Sequence, residues 1–205
     1  MSRPVLILFA HPALEKSRVN VRLADAVRDL PGVTFHDLYQ HYPDLDVDVE
    51  EEQRLLLDHD AVVMQHPFYW YSSPAILKEW QDLVLQHGWA YGSDGNALHG
   101  KLLLNATTAG GGADAYCRQG HNRYTMREFL VPFERTAALC GMRYLAPFVV
   151  HGTFGLSDEA VAAHAADYRR LIEALRDGEV DLDAAAACER LNADLPALLP
   201  ERKGS

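Results

Sequence analysis

The sequence predicts an α/β protein with a doubly wound parallel sheet and helices on both faces. Three observations carry this. Strand-like and helix-like segments alternate five times along the chain. The runs at residues 5–9 and 61–64 are continuously apolar with β-branched members, as suits strands covered on both faces. The segments between them repeat apolar residues at helical spacing.

The elements follow in order. Residues 5–9 form the first strand. After a loop over 10–16, Val19, Leu23, Val27 and Leu30 mark a helix that Pro31-Gly32 ends. Residues 33–38 read as the second strand and 39–48 as irregular, with a turn at Pro43-Asp44. Residues 50–59 form a short helix whose Glu50-Glu51-Glu52 start is a solvated face favourable to its dipole. Residues 61–64 are the third strand and 65–73 a loop. A helix opens with Ser73 as N-cap and Pro74 at its first position, burying Ile76, Leu77, Trp80, Leu83 and Val84. Residues 101–107 are the fourth strand, followed by a long loop over 108–124 of the kind that is functional or disordered. A helix over 126–140 ends at Gly141, and residues 143–150 form the fifth strand. The last long helix starts after Ser157, carries Val161, Ala165, Tyr168, Ile172 and Leu175, and stops at Asp177-Gly178. Residues 1–177 thus make one domain. Residues 178–205 are an Ala-rich appendage, with a short helix over 182–191 and then a loose tail.

Composition narrows the function. At 205 residues and 48% hydrophobic content the chain can bury a full core. Its net charge of -10 disfavours nucleic acid, which needs clustered Lys and Arg. No apolar run reaches the ~18 residues that would span a bilayer. The amino-terminal apolar stretch stops at Ala10-His11-Pro12, too short for a secretory signal. The cysteines Cys117, Cys140 and Cys188 have neither disulfide nor metal spacing, which points to a reducing cytoplasm. His36, His41, His59, His87 and His99 show no ligand spacing and read as structural or surface residues.

Ligands of an open parallel sheet bind beyond the carboxyl ends of its strands. Three segments reach that edge. In the first, His11 precedes Ser17-Arg18-Val19-Asn20 at a helix start, where amides and polar side chains suit an anionic phosphate. Helix capping by Ser17 explains part of this equally well. The second carries four consecutive aromatics, Phe68, Tyr69, Trp70 and Tyr71, whose faces suit a planar ligand. Packing beneath the loop accounts for some of them. In the third, Thr107-Thr108-Ala109-Gly110-Gly111 lets backbone approach a ligand closely, with Tyr116 and His121 as further donors. A glycine run alone would be a flexible turn. No G-x-G-x-x-G or P-loop is present.

Taken together, these segments resemble the flavodoxin-like NAD(P)H:quinone oxidoreductases, and more narrowly the ancillary oxidoreductase subunits of glutathione-regulated potassium-efflux systems. The matching text includes Asp37-Leu38-Tyr39, Gln65-His66-Pro67, Ser73-Pro74-Ala75-Ile76-Leu77-Lys78-Glu79-Trp80 and Leu98-His99-Gly100-Lys101, collinear over residues 4–175. The resemblance implies sheet order 2-1-3-4-5, a homodimer, FMN or FAD at the subunit interface, and NAD(P)H as co-substrate. It assigns His11, Ser17, Arg18, Val19 and Asn20 to the flavin phosphate. It assigns Phe68, Tyr69, Trp70 and Tyr71 to the ring, and Thr107, Thr108, Ala109, Gly110 and Gly111 to its pyrimidine side. Tyr116 and His121 match the family's catalytic Tyr/His pair. Ala109 interrupts the expected Thr-Thr-Gly-Gly run, and the Tyr-to-His spacing is one residue shorter than in the best-known members. The implied acceptor is quinone-like. A potassium-efflux antiporter is the implied partner, placing a cytoplasmic protein at the inner membrane's periphery. The competing readings are a regulatory flavoprotein subunit with incidental turnover, and a hydrolase or transferase using His11 or Ser17.

Overall fold

The computed structural model describes residues 3–199. Strand β1 (Val5–Phe9) is followed by α1 (Arg18–Val27), β2 (Val33–Asp37), α2 (Leu38–His41) and α3 (Val49–Asp58). Then come β3 (Ala61–Pro67), α4 (Ala75–Val84), β4 (Leu102–Thr108), α5 (Met126–Phe129) and α6 (Val131–Leu139). Two short strands, β5 (Arg143–Tyr144) and β6 (Phe148–Val150), precede α7 (Asp158–Asp177), α8 (Leu182–Ala187) and α9 (Leu191–Leu198).

The strands are all parallel in the order β2-β1-β3-β4-β5, with β6 also paired to β4. This is the expected order. Every residue of β1, β3 and β4 is buried, so their apolar runs report cover on both faces. One core layer joins the sheet to α1 and α7, through residues such as Leu23, Tyr168 and Ile172. The other joins it to α2, α3, α4 and α6, through Leu38, Leu56, Trp80 and Phe133.

Several elements differ from the sequence reading, each for a local reason. Asp37 accepts from the amides of Tyr39 and Gln40, so α2 forms where irregular chain was expected. Pro74, rather than Ser73, is the N-cap of α4, and Leu83 is exposed. The expected helix over 126–140 breaks at Leu130: a Thr125–Glu128 capping box opens the short α5, and Pro132, lacking an N–H, suits the first turn of a new helix, α6. Pro147 likewise splits the fifth strand into β5 and β6, since it cannot donate to β4.

Glu52 corrects the reading of Glu50-Glu51-Glu52 as solvated. Its side chain is 0% exposed. It accepts from the Tyr42 hydroxyl at 2.6 Å and Trp80 Nε1 at 2.7 Å, and pairs with His36 Nε2 at 2.6 Å. One carboxylate thereby ties together β2, α3, α4 and the turn after α2.

The tail differs most. The expected helix over 182–191 ends at Ala187, and the segment read as loose contains α9. Leu191, Leu195 and Leu198 of α9 are buried in the same core as α1 and α7. The tail also covers the sheet edge at β6, which would otherwise offer unpaired backbone groups. Asn192 Oδ1 accepts from Val149 N at 3.0 Å, and its Nδ2 donates to Val149 O at 2.8 Å. Leu191 N donates to Pro147 O, and Ala146 N to Ala185 O, both at 2.9 Å. The end of the tail, with Pro200, lies outside the described residues.

Candidate functional site

Sheet order reverses between β1 and β3, and a cleft opens there at the carboxyl ends. It consists of two adjoining cavities of about 450 and 480 Å³ that share Phe68 and Tyr69 as a common wall.

The first cavity is built by the start of α1. Its wall includes His11, Ser17, Arg18, Val19, Asn20, Thr108 and Gly110. The Ser17 hydroxyl accepts from Asn20 N at 3.2 Å. The amides of Arg18 and Val19, in the first turn, have no intrahelical acceptor. Asn20 Nδ2 reaches Ser17 Oγ at 3.0 Å and Thr108 Oγ1 at 2.9 Å, pinning the helix to the end of β4. Its Oδ1 is buried and unpartnered. Ala13 N donates to His11 Nδ1, so His11 holds its proton on Nε2. Burial lowers the His11 pKa, with Glu15 opposing, so the ring is a neutral donor at pH 7 rather than a cation. The Arg18 guanidinium is engaged by Asp158 and by the carbonyl of Leu156, itself a residue of the cavity wall.

The second cavity is walled by Phe68, Tyr69, Trp70, Tyr71, Gly111, Tyr116 and His121. The aromatic segment makes a tight turn. Tyr69 N donates to Ser72 O at 3.0 Å and Ser72 N to Tyr69 O at 2.9 Å. Trp70 and Tyr71 sit between them at φ 51° and 61°. Two left-handed central residues define the turn type that favours Asn-Gly, and a bulky side chain there costs about 1–2 kcal/mol. Trp70 is 95% exposed, so its own packing does not offset that cost. Tyr71 stacks partly on Phe129, whose ring also touches Phe68, Tyr116 and Tyr124. Burial raises the Tyr116 hydroxyl pKa, Tyr71 adds to this and Asn122 opposes it, so it is a protonated donor at neutral pH.

A buried chain braces the turn from below. The Tyr144 hydroxyl donates to Asn105 Oδ1 at 2.7 Å, so the Asn105 amide donates to His66 Nε2 at 3.0 Å. His66 Nδ1–H then donates to the Pro67 carbonyl at 3.0 Å. Burial lowers the His66 pKa to about 4, which keeps the ring neutral.

The cleft thus gathers most of the residues singled out in sequence. Two are not on its wall: Thr107 is fully buried, with an unpartnered hydroxyl, and Ala109 is buried in the apolar layer, its amide bonded to Val150 O. Sequence reasoning missed the loop after β6, where Thr153, Phe154, Gly155 and Leu156 line the first cavity. The signal was present: His151-Gly152-Thr153-Phe154-Gly155 follows a strand at the ligand-binding edge. The hydrolase reading gains no support, because Ser17 Oγ accepts from Asn20 and His11 Nδ1 accepts from Ala13.

A parallel sheet in this order, with a cleft at its switch point, defines the flavodoxin-like class. The chain belongs to the flavodoxin-like fold family, which it matches over residues 3–172. Among its relatives is the glutathione-regulated potassium-efflux system ancillary protein KefG of Pectobacterium carotovorum, 46% identical over 82% of this chain and 93% of that protein. The NAD(P)H oxidoreductase YrkL of Bacillus subtilis, described as uncharacterized, is 46% identical over 83% of this chain and 97% of its own. Among solved structures, general stress protein 14 of Treponema denticola in complex with FMN aligns with TM-score 0.79 at 40% identity, covering 83% and 98% of the two chains. An NADPH-quinone reductase from P. pentosaceus aligns with TM-score 0.75 at 34% identity, covering 82% and 96%.

Proposed function

We propose that this chain is a flavin-dependent oxidoreductase that holds FMN in the cleft and transfers hydride from NAD(P)H to quinone-like acceptors. One observation carries the reading: an anion-suited helix start and an aromatic-walled cavity are joined through Phe68 and Tyr69. Neither half alone would select a flavin. The donor set fits the cofactor. The first-turn amides of α1, Ser17 and the His11 Nε2–H suit the phosphate. The buried, unpartnered Asn20 Oδ1 offers an acceptor to a hydroxylated tail. A Cβ on Gly110 would lie 2.4 Å from the Phe154 ring and one on Gly111 3.2 Å from the Tyr116 ring, so glycine lets both rings close on this loop. FMN rather than FAD is favoured by the FMN complex of the Treponema relative.

Bound flavin would supply the hydride chemistry between nicotinamide and acceptor. The chain's part is to bind, orient and stabilise charge. Tyr116 and His121 reach the second cavity as donors, where they would stabilise negative charge on the ring's pyrimidine end. The side chains Trp70 and Phe154, 95% and 92% exposed at the mouth, suit a second copy of the chain closing the cleft.

The test is the visible spectrum of the purified protein, then its bleaching by NADPH without oxygen. A flavin spectrum that bleaches supports the reading; a colourless protein that takes up no FMN overturns it. Tyr116→Phe with His121→Ala should slow flavin reduction roughly tenfold to a thousandfold. An unchanged rate would remove those residues from the mechanism. The KefG similarity favours a second reading, a regulatory subunit of a potassium-efflux antiporter. Co-purification with such a transporter, with negligible quinone turnover, would favour it over the first.

A further inference from the structure

The first cavity has a charge pattern that flavin binding alone does not explain. Its wall carries three basic residues, His11, Lys16 and Arg18, and no carboxylate among the described residues. The three are not equivalent. His11 is neutral at pH 7, because burial lowers its pKa. Arg18 is engaged: Nη1 donates to Asp158 at 3.0 Å and Nη2 to the Leu156 carbonyl. Lys16 ends a single 3-10 turn, Leu14–Lys16, directly before the N-cap Ser17. It is exposed on the cavity wall, and its ammonium has no hydrogen bond or ion pair among the described residues.

Both long cations stand at the wrong end of a helix. A helix start carries partial positive charge, so it favours Asp or Glu and disfavours Lys or Arg. Helices α3 and α7 follow that rule, with Glu50, Glu51 and Glu52 in one first turn and Asp158 and Glu159 in the other. Helix α1 has no acidic residue in its first turn. Arg18 relieves its own position by reaching the acid that begins α7. Lys16 has no such partner; its neighbour Glu15 is exposed and lies off the cavity wall. An anion seated in the cavity would meet the α1 amides and the Lys16 ammonium together.

The Arg18 side chain has a different use. Leu156 belongs to the Thr153–Leu156 segment that lines the cavity, and Asp158 opens the helix behind it. The guanidinium therefore fastens the loop after β6 to the start of α1. The exposed ion pair contributes little by itself, with the two side chains 49% and 81% exposed, so the clasp depends on the carbonyl bond beside it.

We propose that the two cations divide the work. Lys16 is the counter-charge to the phosphate of FMN, and Arg18 is a positioning residue that holds the loop after β6 against α1 and so shapes the cavity. This rests on the flavin reading. Arg18 then serves the phosphate through its amide rather than its charge.

Riboflavin, which is FMN without the phosphate, separates the two roles. The full chain is titrated with each flavin while flavin fluorescence is followed, at about 0.01 M and about 1 M salt, where the screening length falls from ~30 to ~3 Å. Lys16→Gln should weaken FMN about threefold to tenfold at low salt, between the effect of an exposed ion pair and that of a hydrogen bond to a charged group. It should leave riboflavin unchanged, and high salt should shrink its difference from wild type. Lys16→Arg should keep the FMN affinity. Arg18→Ala should weaken both flavins by the same factor, since it loosens the wall. Circular dichroism confirms that each variant is folded. An FMN affinity untouched by Lys16→Gln, or a loss shared equally by riboflavin, overturns the counter-charge. A loss confined to FMN in Arg18→Ala makes Arg18 the counter-charge and overturns the division of roles; no loss for either flavin overturns the clasp. A wild-type chain that binds neither flavin overturns the flavin reading and this inference with it.

Discussion

Replacing Glu52 by glutamine should cost about 2–4 kcal/mol of stability. The carboxylate is fully buried, and its two oxygens divide the work. Oε1 meets both His36 Nε2 and the Tyr42 hydroxyl, while Oε2 meets Trp80 Nε1. A glutamine must put its NH2 at one of these places. Facing Trp80, it strands one donor pair; facing His36 and Tyr42, it strands more. The first orientation should win, leaving an unsatisfied buried donor at about 1–3 kcal/mol and weakening the remaining bonds from charge-assisted to neutral, about 1 kcal/mol more. For a chain of this length Tm should fall about 2–4 °C per kcal/mol. Urea unfolding followed by far-ultraviolet circular dichroism measures the loss. The pH dependence gives a second check. Burial pushes the Glu52 pKa up, but the bonds from His36, Tyr42 and Trp80 outweigh it, so the net shift is downward. A depressed carboxyl contributes stability above its unfolded pKa and loses that contribution as pH falls through the folded value. The gap between wild type and Glu52→Gln should therefore be widest near neutral pH and shrink in acid. A cost below 1 kcal/mol, or a gap that widens in acid, would refute the account of this carboxylate as a charged hub.

Trp70→Asn should raise stability by about 1 kcal/mol in the same assay, because it relieves a left-handed bulky residue whose side chain is almost wholly exposed. It should also weaken FMN binding, measured by flavin fluorescence; a stability loss would mean that Trp70 packs in solution. Leu195→Ala should cost about 2–5 kcal/mol, since this tail leucine is buried in the main core. A cost under 1 kcal/mol would make the tail dispensable. Asn20→Ala should weaken FMN binding at least tenfold, as it frees the start of α1 from Thr108. Unchanged affinity in a folded variant would remove Asn20 from the cofactor site.

The principal strands and the three ligand-facing loops were legible because they rest on local signals, whereas the strand order came from the family resemblance. Continuous apolar runs identify strands covered on both faces, and Ser17, Ser157 and Gly178 mark helix ends by their own chemistry. The misreadings share one cause. Glu52 lies in an acidic run that reads as solvent-facing, and only the approach of His36, Tyr42 and Trp80 from other elements makes burial affordable. The tail is Ala-rich and interrupted by Pro196, which hides the helical spacing of Leu191, Leu195 and Leu198, and that spacing does not say which surface they cover. Its leucines are buried because α1, α7 and β6 leave a face for them to cover. The sequence by itself settled the principal strands and helices and their class, and through that class the edge where a ligand belongs, since these follow from hydrophobic period and capping within a few residues. The tertiary structure alone decided which charges are buried, which tautomers are held and what the tail covers, because those depend on partners brought together by folding.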